Sequence, residues 1–532
     1  MAPAGRPAHS ADYVVVGAGS AGAVLAARLS EEPGRTVLLL EAGGWDDRPE
    51  IHRVDAAAAF ALLGSEWSQE IDWGYRTEPG AGVADRAIPV ARGKVVGGCS
   101  SVNALMWVRG NRADYDAWAA AGNPGWSYDE LLPYFRRSEA YDGGASELRG
   151  ALGPIGVTRH HSPTPLARAF VAATAELGQQ AADTDYNGEV QDGYGFLYQT
   201  TQTRTGRRSS TATGYLHPSV NRTNLTVAVG ARATRVLLSG DRAVGVEYVQ
   251  DGELRRAEAG AEVILAAGAF ESPKLLMLSG IGPADELRRH GIAPVRDLPG
   301  VGGNLQDHLF VPVCFQSAVE HPDGAMISEA GLFTRTGLQP EVDSPDLQFT
   351  FGPIKFLPPD APAGQWEGPG FTFAPIGLLP HSRGRVSLRD GDPASRAVVR
   401  AGYLEDGRDL DVLVEGVGIA RELARTRAFD DFRGDELSPG KEAQTTAEVR
   451  AYVRANATTL WHPVGTCRMG TDPDAVVDHR LRVHGVDGLR VADASVMPRI
   501  VAGNTNAPTI MIGEKAAALV AGTSDTGSGD LR

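Results

Sequence analysis

At 532 residues the chain is several times the usual single-domain length, so it can bury a large core and should hold at least two domains. Apolar content of 42% and 22% charged residues lie in the ordinary globular range, and 65 glycines with 33 prolines predict many turns rather than disorder. A formal charge of −15 repels nucleic acid and anionic membrane surfaces, which excludes both as partners unless a local basic patch overrides the field.

One such cluster, Arg204, Arg207 and Arg208, has no stacking aromatics among its charges and reads as a solvated or salt-bridged loop. Cys99, Cys314 and Cys467 show no CxxC spacing, so no disulfide framework and no metal site is expected, and a reducing cytoplasm fits. The stretch ahead of the first strand lacks the apolar run of a cleaved signal, and no later run approaches the roughly 20 residues of a membrane span. A soluble, cytoplasmic protein is expected.

Tyr13 to Val16 is a β-branched run, and Val24, Leu25 and Leu29 then recur at helical spacing after a glycine-rich turn. A second strand is expected at Thr36 to Leu40, between Gly34 and Gly43, which makes a βαβ unit and hence a parallel sheet. Residues 45 to 150 read as loops and short helices laid over that sheet. From Asn224 to Val249 apolar residues alternate as in antiparallel strands, with a turn at Gly240-Asp241. Residues 261 to 270 read as a fully buried strand, followed by a helix capped by Ser272 with Pro273 at its first position. The stretch 311 to 400 holds strand-like segments at Asp346 to Phe351 and Arg385 to Leu388. Helices are expected at Leu410 to Leu423, Ala447 to Ala455 and Asn506 to Val520, and a frayed tail after Gly522.

Gly17, Gly19, Ser20, Ala21 and Gly22 join the first strand to the first helix. Glycine there allows the tight turn, the approach of a pyrophosphate and the packing of helix on sheet, while free N–H groups at the helix start face the phosphates. Glu41, nineteen residues after Gly22, ends the second strand where its carboxylate can accept from a ribose diol, next to Ala42. FAD and NAD present the same adenosine diphosphate handle to this loop, so the loop alone does not separate them.

Three further stretches decide: RGKVVGGCSSVNALMWVRG at 92–110, GAFESPKLLMLSGIG at 268–282, and the pair WHPVGTCRMG and GNTNAPTIMIGEKAA near the C-terminus. With shorter matches such as LPGVGGNLQDH, they run in order over nearly the whole chain. Together they resemble the glucose-methanol-choline oxidoreductases, and within them the choline and alcohol dehydrogenase branch. The resemblance implies an α/β, doubly wound, Rossmann-like FAD domain built from 1–155, 210–310 and 456–525. An antiparallel-sheet α+β substrate domain would comprise 156–209 and 311–455, with a tail at 526–532.

It further implies backbone contacts to the flavin from Val96, Gly97, Ser100 and the run Asn103, Ala104, Leu105 and Met106, an adenine contact at Ala233, and cofactor contacts at Asp493, Ala494, Pro508 and Thr509. Val102 stands where some relatives attach the flavin through histidine, so FAD should be bound non-covalently. Cys99 reads as a packed small residue.

His462 matches the family's active-site histidine and is expected to act as general base, its imidazole being largely neutral near pH 7. Asn506 is expected to be the second catalytic residue, donating to the alkoxide oxygen. Phe310 stands where choline-oxidising relatives carry a carboxylate, and a phenyl face gives a cation only about 0.5–2 kcal/mol. With Thr350 in the place of a family histidine and Leu460 and Trp461 adding apolar bulk, the expected substrate is a neutral, fairly apolar primary alcohol. Electrons would pass to oxygen, a quinone or another acceptor, and a homodimer is allowed. The competing readings are choline dehydrogenase proper, a hydroxynitrile lyase or photodecarboxylase on the same fold, an FAD-binding protein without turnover, and an NAD-dependent enzyme.

Overall fold

The structure, a computed structural model, describes residues 9–55, 68–181, 185–321, 324, 326–358 and 361–522; the expected tail 526–532 lies outside them. Two sheets organise these residues. The first is built around His9–Val16, whose Val14 and Val15 are fully buried, as in parallel sheets covered on both faces. Val37–Leu40 and Glu253–Leu265 flank it in parallel, and Leu489–Val491 adds in parallel to the latter. Gly22–Leu29 forms the crossover helix, onto which Asn506–Ala521 packs through the ion pair of Arg28 with buried Glu514.

The alternating stretch after Asn224 divides differently from its pattern. Arg232–Ser239 and Arg242–Gln250 form the expected antiparallel hairpin, but Leu225–Ala228 joins the parallel side, against Val37–Leu40. Asn224 explains this: its amide donates to the carbonyls of Ser30, Glu32 and Arg35, which fastens the start of its strand beside the turn that precedes Val37. One asparagine amide bonded to three carbonyls therefore outweighs the local pattern.

Within 261 to 270 the strand ends at Leu265, with Ala261 and Glu262 only half-buried, and the helix after it starts earlier than its sequence suggests, running Gly268–Leu278 with Pro273 inside. Buried Asp493 accepts from Gly268 N at 2.8 Å and from Ser272 Oγ at 2.6 Å, so the extra turn is held from another part of the chain. Proline leaves the carbonyl four residues back without its donor. Thr466 Oγ1 supplies one, donating to Ala269 O at 2.6 Å.

The second sheet has the order Arg433–Ser438, Val313–Ser317, Gly370–Gly377, Leu347–Gly352, Ala330–Thr334, Tyr194–Leu197, Gln180–Ala181, antiparallel except for its last pair. Leu309–Phe310 and Thr458–Thr459 pair with each other beside it, so the roof reaches slightly beyond positions 311 and 455 on both sides. Alternation divides its faces: Phe349, Phe351, Phe371 and Phe373 pack with Phe170 and Phe429 in one core, while Gln348, Thr350, Ala374 and Ile376 face the first sheet.

Between residues 45 and 150 the expected short helices are present, Arg112–Ala120 and Tyr128–Ser138, each started by a capping box, Asn111 with Asp114 and Ser127 with Glu130. Downstream of them lies Glu139, which is fully buried. Its carboxylate accepts from Trp107 Nε1 at 2.8 Å, Arg109 Nη2 at 2.5 Å and Arg149 Nε at 2.9 Å, so it fixes the chain just after Met106. Removing this anion leaves the buried Arg109 without an ion-pair partner and Arg149 with Asp185 alone. Glu139→Ala is expected to cost about 3–5 kcal/mol, read as a lowered denaturant midpoint at unchanged slope; a midpoint within the error of the parent would show that Glu139 does not hold this region.

Candidate active site

One continuous cavity lies between the two sheets. At its nucleotide end, Gly17 takes φ +99°, and a Cβ there would lie 2.6 Å from Ala266 O, so only glycine allows the turn. Gly98 crosses it, with φ +52° and room for a Cβ only 2.7 Å from Gly19 Cα. Glu41 accepts from Ala18 N at 2.8 Å and Gly43 N at 2.7 Å, while burial pushes its pKa up to about 7. A cradle without side chains, a buried carboxyl and two helix starts fit an adenosine diphosphate group.

Most of the residues expected to hold the cofactor line this cavity: Gly17, Gly19, Ser20 and Ala21 of the first loop, followed by Glu41, Ala42, the run Asn103 to Met106, Ala233, Asp493, Ala494 and Thr509. Five lie behind the wall. Gly22 and Gly97 make the turns, Val96 is fully buried in the core, Pro508 sits in the first helical turn, and the Ser100 hydroxyl is taken up by Gly97 O and Thr211. Arg208 is not the solvated loop residue that its neighbours suggest. It is buried and donates to Ile51 O at 2.7 Å and to Asn103 O at 2.8 Å, bracing the Asn103 segment from behind, and burial pushes its pKa down to about 9.

His462 lies at the opposite end, on a loop gripped by Asp307. That buried carboxylate accepts from His462 N at 2.8 Å, Thr459 Oγ1 at 2.6 Å and Tyr403 Oη at 2.5 Å. Between them Trp461 adopts φ +62°, a left-handed conformation that costs a non-glycine residue about 1 kcal/mol or more. Arg92 holds it there by donating to Trp461 O at 2.5 Å.

The asparagine that the structure brings to the imidazole is Asn504, its Nδ2 3.4 Å from His462 Nε2. Asn506 points elsewhere: its Oδ1 accepts from Ser20 Oγ at 2.9 Å on the dinucleotide loop. The physical reason is helical phase: Asn506 is the first helical residue and its amide meets the dinucleotide loop, whereas Asn504, in the loop before the helix, meets His462, although both line the cavity.

Two further residues complete the arrangement. His308 Nε2 lies 2.9 Å from Leu378 O, and its Nδ1 lies 3.0 Å from His462 Nδ1. A carbonyl only accepts, so Nε2 of His308 carries the hydrogen and its Nδ1, in the neutral ring, is the acceptor. His462 Nδ1 must then donate, which leaves the lone pair on Nε2 toward Asn504. Burial pushes His308 down to about 4 and, with the charges of His308 and Arg92 adding, pushes His462 well below its ordinary value, so both rings are neutral at pH 7. The QDH tripeptide that contains Asp307 and His308 was legible as a motif, but the roles of both side chains depend on contacts with residues 70 or more positions away.

The roof over this end carries Phe310, Ile327, Ile354, Phe356, Ala374 and Ile376, with Gln348, Thr350 and Leu460 among them. Among the described residues three carboxylates line the cavity, Glu41, Asp493 and Glu271, none of them on the roof strands and the last bonded to Tyr75 and Lys274.

Residues 11–310 match the N-terminal and residues 380–513 the C-terminal domain described as GMC oxidoreductase. The chain belongs to the glucose-methanol-choline oxidoreductases. It is 44% identical to a GMC-type oxidoreductase of Mycobacterium tuberculosis that is itself uncharacterized, over 96% of this chain and 99% of that one. It is 42% identical to the mitochondrial choline dehydrogenase of Homo sapiens, over 96% of this chain and 89% of that one. The crystal structure of pyridoxine 4-oxidase from Mesorbium loti superposes with a TM-score of 0.87 at 35% identity, covering 95% of this chain and 98% of that one. The protein is thus an FAD-dependent oxidoreductase of alcohol-type donors with an α/β cofactor-binding fold and a substrate-binding part. Among the described residues no helix is long and apolar enough to cross a membrane.

Glu41→Ala is expected to weaken FAD binding about 10-fold or more, because a hydrogen bond to a charged group contributes roughly 1.5–3 kcal/mol. Titration of the apoprotein with FAD, followed by flavin fluorescence, measures this; parental affinity would remove Glu41 from the site.

Proposed function

We propose that the enzyme oxidises a neutral, largely apolar primary alcohol to the aldehyde, with His462 Nε2 as the base and Asn504 as the donor to the substrate oxygen. One observation carries the reading: the bond from His308 to Leu378 O fixes tautomers so that His462 turns a lone pair, not a hydrogen, into the cavity. The hydroxyl proton moves to Nε2, and Asn504 Nδ2 holds the oxygen as charge develops on it. FAD, when bound, accepts the hydride from the carbinol carbon. Val102, on the cofactor segment, has no nucleophile, which supports non-covalent attachment. The three cysteines are free, which accords with a reducing cytoplasm.

Choline is disfavoured although a choline dehydrogenase is among the relatives. Phe310 and Phe356 meet edge to face at 5.3 Å where a quaternary ammonium would need a counter-charge, and the lining carboxylates among the described residues, Glu41, Asp493 and Glu271, lie off the roof strands, with Glu271 already paired with Lys274. A photodecarboxylase would have no need of a base preset by a second histidine, whereas a lyase would, and anaerobic bleaching of the flavin by alcohol separates a lyase from an alcohol oxidoreductase.

His462→Ala is expected to retain FAD and lose about 10²- to 10⁴-fold in the rate of flavin reduction by alcohol. Asn504→Ala should lose about 10²-fold and Asn506→Ala much less. Stopped-flow reduction under anaerobic conditions measures all three; an unimpaired His462→Ala variant would remove the base. The same assay gives the pH dependence. A depressed histidine keeps its neutral, active form as pH falls, so the rate should stay level from pH 8 to below 6, and an acid limb centred at about 6.5 would show an unperturbed imidazole instead.

A further inference from the structure

We propose that Gln348 and Thr350 form a recognition subsite for a second hydroxyl on the substrate. This rests on the reading that an alcohol binds at His462. The two residues lie two apart on the same face of Leu347–Gly352, both are buried, and both line the cavity.

The polarity of Gln348 follows from the histidine pair. With the lone pair of His462 facing Asn504, Asn504 presents Nδ2 to the ring and Oδ1 to the roof, 3.4 Å from Gln348 Nε2. Gln348 Nε2 also donates to Tyr198 Oη at 2.7 Å, so both its hydrogens are in use. Gln348 Oε1 has no partner, and neither does Thr350 Oγ1. Tyr198, pushed up to about 12 by burial, keeps its proton and brings no charge.

The structure therefore holds an open acceptor and an open donor side by side, next to the asparagine that touches the base. Leaving such buried groups unpaired is unfavourable, and a ligand that pairs both recovers the loss. A quaternary ammonium can pair neither, a primary ammonium leaves the threonine donor idle, and a carboxylate is repelled by Oε1. A hydroxyl donates to Gln348 Oε1 and accepts from Thr350 Oγ1, so the substrate class is a neutral alcohol bearing a second hydroxyl near the carbinol that reacts.

The test compares plain alcohols with their hydroxylated counterparts: 1-butanol against the butanediols, and benzyl alcohol against the hydroxybenzyl alcohols. The readout is the ratio of kcat/KM within each pair, in which a general loss of activity cancels. The parent enzyme should favour at least one hydroxylated isomer about 10-fold or more over its plain partner. Gln348→Leu and Thr350→Val should each lower that ratio about 10-fold, and Thr350→Ser should restore it. If no isomer is favoured, or if the ratio survives both substitutions, the subsite does not exist. That outcome in an enzyme that still requires His462 overturns this proposal alone, whereas an unimpaired His462→Ala variant overturns the base assignment. A variant that fails to fold leaves the series on the parent enzyme to decide.

Discussion

The carbonyl of Leu378 can only accept a hydrogen bond, and that restriction sets the direction of every hydrogen in the chain beyond it. His308 must donate to it, His462 must donate to His308, and the lone pair left on His462 orients the amide of Asn504, which in turn orients Gln348. Leu378 follows the roof strand Gly370–Gly377, so the substrate sheet specifies where a proton can be received over the cofactor half. An isolated histidine in this loop would sample both tautomers and present the wrong one part of the time. Burial reinforces the arrangement, because a charged imidazole here would pair with no anion and would face the positive Arg92.

Position is secured separately from polarity. Asp307 collects a backbone N–H and two hydroxyls from two segments, and it does so where burial pushes its own pKa up, so the bonds it accepts are what make its charge tolerable. The strained Trp461 that precedes the histidine is held by the same cluster and by Arg92. Tolerating a left-handed tryptophan is how a short loop aims the next side chain inward.

Much of the cofactor half was legible because its signals are local: a strand, glycines at fixed offsets, a helix start and an acidic residue at the end of the next strand all lie within thirty-odd residues. The order of motifs then gave the family and the location of the histidine. What was not legible depends on long-range contacts. Asn504 and Asn506 are the same residue type two positions apart, and only the point at which the helix begins sends one to His462 and the other to Ser20. The helix beginning at Gly268 instead of after Ser272 needs Asp493 and Thr466, some 200 residues away in sequence. Arg208 looked like one charge of a surface cluster because nothing adjacent shows that Ile51 and Asn103 close over it.

The separation of His462 Nε2 from Asn504 Nδ2, 3.4 Å, carries the last step of the reading. It is long for a direct N–H···N bond, whose usual length is nearer 3 Å, and a contact so loose adds little stability. A substrate oxygen placed against both groups makes two shorter bonds in its place, donating to Nε2 and accepting from Nδ2. As the proton leaves, the bond from the asparagine gains strength because its acceptor becomes charged, so the pair favours the state with developed alkoxide over the bound alcohol. The largely apolar side chains over this end lower the local polarity, which strengthens the bonds that such an oxygen makes to the pair.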